Sequence, residues 1–516
     1  MKAIPLVFSD VDPAPRLNGF LASACAAVAA AALLTACAVG PNFKPSDAPP
    51  GAVFLPRARE PAQASAEGAA GHPQRFVDGQ DIPGQWWTVF GSAQLNALIE
   101  QAIANSPTLD AAQAALRQAN EIAAAQSGSY YPSVSATAQS QRQKTSGAAF
   151  GLPGVGASIY VLNSASVNVS YTLDAFGGVR RQVEALRAQA EYQQFALEAS
   201  YLSLTANIVT AAVTEASLRA QLKATEDIAH SQQLQLEIAQ RRVAAGAASR
   251  TDVLQQQSVL QSTLAGLPTL RSQLAQQRNQ LAAYVGKLPS NFSAGEFSID
   301  SLTLPDDLPV SLPSKFVEQR PDVRQYSALL HEATAQIGVA TANMLPQITL
   351  SGSYGGQARH FADVFSPASM VWSMAAAAAQ PIFKGGTLLH QRRAAVAAAQ
   401  VAASNYQATV IIAFQNVSNT LYALQADAET FAAQSLAERT AAEGLRLVQD
   451  QYKSGGASYL QVLSAQQSYQ SAAIALVKAR AQRFADTAAL FQALGGGWWN
   501  RTDVAADSIN CCKEHL

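Results

Sequence analysis

The sequence predicts a mainly α-helical fold with a membrane β-barrel portion, in which one structural unit occurs twice. Three observations predict it. Residues 179–242 form a proline-free stretch with a helical apolar repeat, and about 64 helical residues would extend roughly 95 Å, too far for a compact domain. Residues 161–173 alternate in polarity as a strand does, and similar turn and strand motifs recur later in the chain.

The N-terminus has the pattern of a bacterial lipoprotein signal. Basic residues precede an apolar run at positions 19–34, and small residues then lead to Cys37. We expect residues 1–36 to be removed and Cys37 to carry covalent lipid, whose acyl chains would anchor the protein in a membrane. A plain signal peptide followed by a structural cysteine is the alternative. Residues 37–84, rich in Pro, Ala and Gly, are expected to form an extended strap.

The clearest strand of the sequence ends at Leu173. From position 164 on, Ser, Asn and Thr occupy its even positions, and its odd positions are mostly apolar: Val161, Asn163, Ala165, Val167, Val169, Tyr171 and Leu173. Such a strand is long enough to cross a bilayer when tilted. A half-buried strand of a soluble sandwich would alternate in the same way. The expected lipid anchor and the scarcity of other strand-rich sequence favour the membrane.

A long helical hairpin is predicted to follow, up to Gly286. The apolar positions of its first arm recur at helical steps: Val183, Leu186, Ala190, Leu197, Tyr201, Leu204 and Ile208. Gly246 suits the left-handed conformation that ends a helix. Ser249 can cap the next helix, and Asp252 three residues later completes a capping box.

The second half of the sequence repeats the first. Tyr131-Pro132 returns as Leu345-Pro346, and strands are predicted again at residues 348–356 and 370–383. Gly385-Gly386 then takes the place of Gly177-Gly178, Gly455 matches Gly246, and Ser458 matches Ser249. We therefore expect a first repeat at residues 85–314, a second at 315–498, and a polar tail at 499–516.

Composition and motifs exclude several classes of protein. The formal net charge is −1 and 14% of residues are charged, so nucleic-acid binding is not expected. No strongly apolar window of membrane-spanning length is expected outside the N-terminus. The six histidines lack metal-ligand spacing, and no nucleophile or phosphate-binding motif is present. We expect neither an enzyme nor a metal protein, and no cofactor apart from the lipid on Cys37.

A further run, in which Val134, Ala136 and Ala138 alternate with Ser and Thr, brings the expected strands to about four per chain. Four are too few for a membrane barrel, which needs at least about eight to close its edges. Rotational symmetry supplies the others. Two copies would give about eight strands around a filled lumen, and three would give about twelve around a water-filled pore.

Several segments share their pattern with a known family: Cys37-Ala38-Val39-Gly40-Pro41-Asn42-Phe43, Arg320-Pro321-Asp322-Val323-Arg324, Ile337-Gly338-Val339-Ala340, and the Gly-x-x-Ser-x-x-x-Val-Leu turns at Gly246 and Gly455. They resemble the outer-membrane efflux (TolC-like) family, in particular its NodT-type lipoprotein branch. The resemblance implies a homotrimeric outer-membrane channel that extends into the periplasm. It also implies a periplasmic adaptor and an inner-membrane pump, usually of the RND type, as partners.

In that family the two helical turns form the periplasmic mouth and dock the adaptor. The matching positions are Arg242, Gly246, Ser249, Asp252, Tyr452, Gly455, Ser458, Leu460, Gln461 and Ser464. Many relatives have acidic residues where this chain has Gln461 and Ser464, so the acidic ring is missing. Leu460 is a candidate apolar constriction. Helix capping is the expected main role of Asp252 and Gln461, and an ion pair from Arg241 or Arg242 to Asp450 is a hypothesis for a lock between the hairpins.

The resemblance therefore implies that the chain is a channel subunit of a tripartite efflux system. The alternative is a periplasmic coiled-coil lipoprotein that bridges layers without a pore. The strands distinguish the two, since only the channel needs a membrane sheet. The sequence does not specify the transported solute, because an outer duct passes whatever its pump delivers.

Overall fold

The computed structural model of the chain describes residues 38–44, 54, 71–145, 158–293 and 295–501, apart from the side chains of residues 313 and 314. The α-helices are α1 (Ala93–Asn105), α2 (Pro107–Ser127), α3 (Gly178–Ala244), α4 (Arg250–Tyr284), α5 (Pro313–Gln319), α6 (Pro321–Ala342), α7 (Thr387–Lys453) and α8 (Tyr459–Ala493). The strands are β1 (Arg75–Asp78), β2 (Ser133–Thr145), β3 (Ser158–Leu173), β4 (Asp307–Val310), β5 (Gln347–Ala358) and β6 (Met370–Ala379).

The chain divides into two compact units. The strand unit comprises Met1–Phe43, Glu121–Arg187 and His331–Gln400. The helix unit comprises Lys44–Asn120, Ala188–Leu330 and Val401–Leu516.

The strand unit contains an open antiparallel sheet in the order β2-β3-β5-β6. In its register, Val167 lies opposite Tyr354, and Tyr354 lies opposite Trp372. Within the described residues the outer edges of β2 and β6 have no partner strand. β6 ends at Ala379, earlier than the predicted end at residue 383, because Pro381 has no amide hydrogen for the ladder.

The two faces of this sheet differ in chemistry. One face carries apolar side chains, including Val134, Ala136, Val167, Val169, Leu350, Tyr354, Trp372 and Met374. The other face carries mainly Ser, Thr, Asn and Gln, and these bond across strands: Thr137 lies 3.0 Å from Ser166, and Ser353 lies 2.8 Å from Ser373. This alternation confirms the predicted strands and gives the sheet one face suited to lipid and one suited to water.

The helix unit has a core of aromatic and aliphatic side chains. Trp86 and Trp87 are buried in it, and Trp86 stacks on Phe491 at 5.5 Å between ring centroids. The short strands β1 and β4 form a separate parallel pair. These contacts hold the chain ahead of α1 against the connector that follows α4.

The helical arms of the two halves have equal lengths, because α3 and α7 each span 67 residues, and α4 and α8 each span 35. Gly177 and Gly386 both adopt positive φ, and each is the residue immediately before its arm, since α3 starts at Gly178 and α7 at Thr387. The amide of Arg181 bonds Gly177, as that of His390 bonds Gly386. Gly177 therefore corresponds to Gly386, and the predicted pairing of Gly177-Gly178 with Gly385-Gly386 was wrong by one residue.

One helix of the described chain, α3, is long and apolar enough to cross a membrane by length and composition. Such a window was not expected from the sequence. Since 56% of that window is buried within the protein, packing against other elements also accounts for its apolar character.

Candidate functional site

The first helical turn joins α3 to α4 around Gly246. Gly246 has a φ of 73°, and the amide of Ala247 bonds the Arg242 carbonyl at 2.8 Å, which closes the C-terminus of α3. The hydroxyl of Ser249 accepts from the backbone at the start of α4. The Asp252 carboxylate in turn accepts from the Ser249 amide at 3.1 Å. The predicted capping box is confirmed.

The second turn repeats this arrangement around Gly455. Gly455 has a φ of 83°, and the amide of Gly456 bonds the Gln451 carbonyl at 2.8 Å. The Gln461 side-chain oxygen accepts from the Ser458 amide at 2.7 Å, which forms the second capping box. The side chain of Gln461 is therefore engaged in capping α8, although it is exposed.

Two contacts join the hairpins near these turns. The guanidinium of Arg242 lies over the ring of Tyr452, 4.7 Å from its centroid. The hydroxyl of Tyr459 donates to the side-chain oxygen of Gln256 at 2.6 Å, and Gln256 donates to the Gln232 carbonyl at 2.9 Å. Burial raises the pKa of Tyr459, so its hydroxyl keeps the proton that it donates. A cleft of about 330 Å³ lies beside Arg242, Tyr452 and Tyr459.

The hypothesised ion pair between the hairpins was wrong. Asp450 bonds Lys453 at 2.9 Å and Arg446 at 3.3 Å, both on its own helix. Arg241 lies 3.7 Å from Glu237, also on its own helix. Side chains one helical turn apart reach each other at little entropic cost, so Arg241 and Asp450 pair within their own helices and not with each other. Arg242 uses its aromatic neighbour Tyr452 instead.

The remaining predicted mouth residues lie on the exposed side of α8. Leu460 is 66% exposed, and Gln461 and Ser464 are exposed beside it. Val462 and Leu463 are buried against Tyr459 and neighbouring side chains. The exposed set therefore faces away from the hairpin packing. Cys37, the predicted lipid site, lies outside the described residues.

A contact that the sequence analysis missed is a clip formed by residues 38–43 in the strand unit. Arg181 donates to the Val39 carbonyl at 3.1 Å and to the Asn42 side-chain oxygen at 2.6 Å. Gly40 approaches Gly338 so closely that a Cβ on Gly40 would come within 2.5 Å of the Gly338 Cα. Gly40 lies in the segment 37–43 and Gly338 in the segment 337–340, and the lack of a side chain at both is the sequence feature that could have indicated their close approach.

A second missed cluster lies in the helix unit, at Asp427 of α7 and Asp486 of α8. Burial, reinforced by the carboxyl of Asp486, raises the pKa of Asp427 to about 8. Gln482 donates to Asp486 at 3.0 Å. Burial lowers the pKa of nearby Arg483, although the charge of Asp427 opposes this, and Arg483 donates to the His72 carbonyl at 3.2 Å. The cluster joins residues far apart in sequence, so no local pattern could have indicated it.

The described residues contain no group of three or more His, Cys, Asp and Glu side chains that could hold a metal ion. Cys511, Cys512 and His515 lie outside the residues that the structure describes. The chemistry of the described residues is therefore that of helix capping, a sheet with two contrasting faces, and contacts between hairpins. An open amphipathic sheet whose outer edges have no partner strand among the described residues is typical of a subunit of a strand-built membrane channel.

Comparison with known proteins gives the family. The family described as "Outer membrane efflux protein" matches residues 98–287 and 312–496. The pyoverdine export outer membrane protein OpmQ of Pseudomonas aeruginosa is 30% identical over 429 residues, covering 82% of this chain and 89% of the relative. Nodulation protein T of Rhizobium leguminosarum bv. trifolii is 29% identical over 482 residues, covering 90% and 96%.

Solved structures agree. The open state of the Neisseria gonorrhoeae MtrE outer membrane channel superposes with a TM-score of 0.76 at 26% identity, covering 91% of this chain and all of that one. The chain belongs to the outer membrane efflux protein family. It is a TolC-like channel subunit of the outer membrane that extends into the periplasm, and the family consists of channels rather than enzymes.

Proposed function

We propose that three copies of this chain close a barrel of about twelve strands and form the exit duct of a tripartite exporter. A periplasmic adaptor and an inner-membrane pump of the RND class would deliver the solute. The open sheet carries this proposal. Its outer strands β2 and β6 have edges without a partner strand among the described residues, and one of its faces is suited to lipid. The repeat boundaries at residues 85–314 and 315–498 are part of the same proposal.

The duplication predicts how the copies pair. Within the chain, β3 of the first half pairs with β5 of the second, and Val169 lies opposite Gly352. By correspondence of the repeats, β6 should pair with β2 of the neighbouring copy. Val169 then corresponds to Ala378, and Gly352 to Ala138, so Ala378 would lie opposite Ala138 of the neighbour. Both residues lie on the apolar face, which satisfies the requirement that directly opposite residues share one face of a sheet.

Cysteine cross-linking tests the trimer. In a chain with Ser at positions 511 and 512, Ala378→Cys with Ala138→Cys should give disulfide-linked dimers and trimers, because directly opposite Cβ atoms lie about 4.5–5.5 Å apart. The matched control pairs Ala378→Cys with Val134→Cys, four residues out of register. Equal cross-linking in both variants, or a monomer in mild detergent with no conductance in planar bilayers, would refute the proposal.

Acylation of Cys37 is a further part of the proposal. It is supported by the clip, since Ala38, the next residue, packs so close to Gly177 that a Cβ there would come within 2.6 Å. Gly177 follows β3, so the anchor would lie at the end of the sheet. Cys37→Ala should leave the protein without lipid and weaken its retention in the outer membrane. Unchanged lipid labelling would contradict the assignment.

We place the periplasmic mouth and the adaptor contact at the two turns, with Leu460, Gln461 and Ser464 facing the opening. Their exposure supports this placement. Contacts between the hairpins, from Arg242 to Tyr452 and from Tyr459 to Gln256, would then resist opening of the mouth.

A further inference from the structure

The four strands of the open sheet carry two charged side chains, Arg142 and Lys144. Both are cations, both lie on β2, and both are exposed. They share the face of Val134 and Ala136, since strand residues two apart lie on the same side. The cations therefore lie on the lipid side, and the polar side of the described strands has no charge.

Neither cation has a counter-charge within the part of the chain that the structure describes. Among the described residues, no hydrogen bond or ion pair involves Arg142 or Lys144, and their opposite neighbours are Val161 and Ile159. A lipid-facing cation is costly at the centre of a bilayer and tolerated near its surface. Near the surface these side chains are free to pair with anions of the membrane.

Their height on the strand matches such a surface. β2 starts at Ser133 on the helix side and runs to the loop side, which is extracellular for a channel with periplasmic helices. Arg142 lies about 30 Å along the strand from Ser133. A tilt of about 40° converts this to about 23 Å of height, close to the apolar band of about 25 Å in membrane barrels. Arg142 and Lys144 would therefore meet the outer leaflet at its headgroups.

The same apolar face has a hollow of about 850 Å³ on β3, β5 and β6. Its wall includes Tyr171 and Leu350 towards the helix side and Trp372 and Met374 towards the loop side. The register predicted for the trimer puts Met374 opposite Arg142 of the neighbouring copy, and Trp372 opposite Lys144. A cationic pair would thus lie at the outer end of an apolar hollow.

We propose that this junction between copies binds a phosphorylated glycolipid of the outer leaflet. Arg142 and Lys144 of one copy hold its phosphate, and the hollow beside Trp372 and Met374 of the next takes acyl chains. The cations lie towards the outer surface of the membrane and the apolar hollow lies deeper, which is the order of phosphate and acyl chains in such a lipid. The inference rests on the proposed trimer, because the neighbouring copy supplies the cations.

Native mass spectrometry of the full-length protein in mild detergent tests the site. The probes are lipid A with two phosphates, its dephosphorylated form, and phosphatidylglycerol. Arg142→Gln with Lys144→Gln should weaken binding of bisphosphorylated lipid A by about 30-fold, since each cation near a membrane surface increases the binding affinity about fivefold. Arg142→Lys with Lys144→Arg should retain binding. Arg392→Gln with Arg393→Gln, which removes equal charge from exposed positions on α7, is the matched control.

The outcomes separate the two proposals. Preferential binding of bisphosphorylated lipid A, lost in the Gln variant alone, supports the site. Equal binding of dephosphorylated lipid A or of phosphatidylglycerol would overturn it, as would unchanged binding by the Gln variant. If the Ala378–Ala138 cross-link forms while binding is unaffected, the lipid site fails and the trimer stands. The same cross-link in the Gln variant verifies that the variant has folded.

Discussion

Replacing Tyr459 with Phe removes the hydroxyl that bonds the two hairpins near the predicted mouth. Gln256 is fully buried and Tyr459 is 8% exposed, so water does not readily replace the lost donor. A buried acceptor left without a partner costs about 1–3 kcal/mol. If opening the mouth separates these residues, the closed form loses this stabilisation. Each 1.4 kcal/mol lost would raise the ratio of open to closed mouths about tenfold.

Single-channel recording in planar bilayers measures this ratio. The matched control is Tyr452→Phe, because Tyr452 lies 5.3 Å from Tyr459 between ring centroids. Its hydroxyl makes no hydrogen bond among the described residues, and its ring keeps the contact with Arg242. We expect a higher open fraction in Tyr459→Phe and little change in Tyr452→Phe. Equal open fractions in both variants and the wild type would refute the reasoning.

Three other predictions concern the mouth, the carboxyl pair and the clip. Gln461→Asp with Ser464→Asp should raise the cation selectivity of the pore, and Asp at position 461 should still cap α8. An unchanged reversal potential under a salt gradient would show that these two positions do not line the pore. The pKa of Asp427 is raised on folding to about 8, so the wild type should lose stability as pH rises from about 4 to about 8 and level off above that, with about 1 kcal/mol of the loss between pH 6 and 8 after allowance for solvent screening. Thermal unfolding of Asp427→Asn should lack this loss. Gly338→Ala should destabilise the clip by about 1–3 kcal/mol, because the new Cβ would come within 2.7 Å of the Arg181 side chain. The control Gly444→Ala should be neutral or slightly stabilising, because a Cβ at Gly444 would have no neighbouring atom within 4 Å. Limited proteolysis and unfolding measurements compare the two variants.

Features with a local period were predictable from the sequence. The alternation ending at Leu173 gave β3, and the glycine and serine of each turn gave the helix ends and capping boxes. These features depend on residues within a few positions of one another, where side-chain spacing and backbone hydrogen bonds are linked. The position of Pro381 could also have given the earlier end of β6, since proline cannot donate to the ladder.

Features set by packing between distant residues were not predictable. The clip brings Gly40 against Gly338, and the carboxyl pair brings Asp427 to Asp486. Neither contact has a period, and the residues involved are common in other settings. The Asp450 hypothesis failed for a related reason. Arg446 and Lys453, each about one helical turn from Asp450 on the same helix, already pair with its carboxylate.

The polar face of the sheet has a consequence for transport at different pH. Its described strands carry no carboxylate, amine, guanidinium or imidazole, because the two cations lie on the opposite face. Protonation in acidic surroundings therefore leaves the electrostatic potential along this outlet nearly constant. A charged solute, whether anionic or cationic, would therefore experience the same electrostatic potential at this outlet in acidic medium as in neutral medium. Any acid response of export must then originate at titratable groups elsewhere in the assembly.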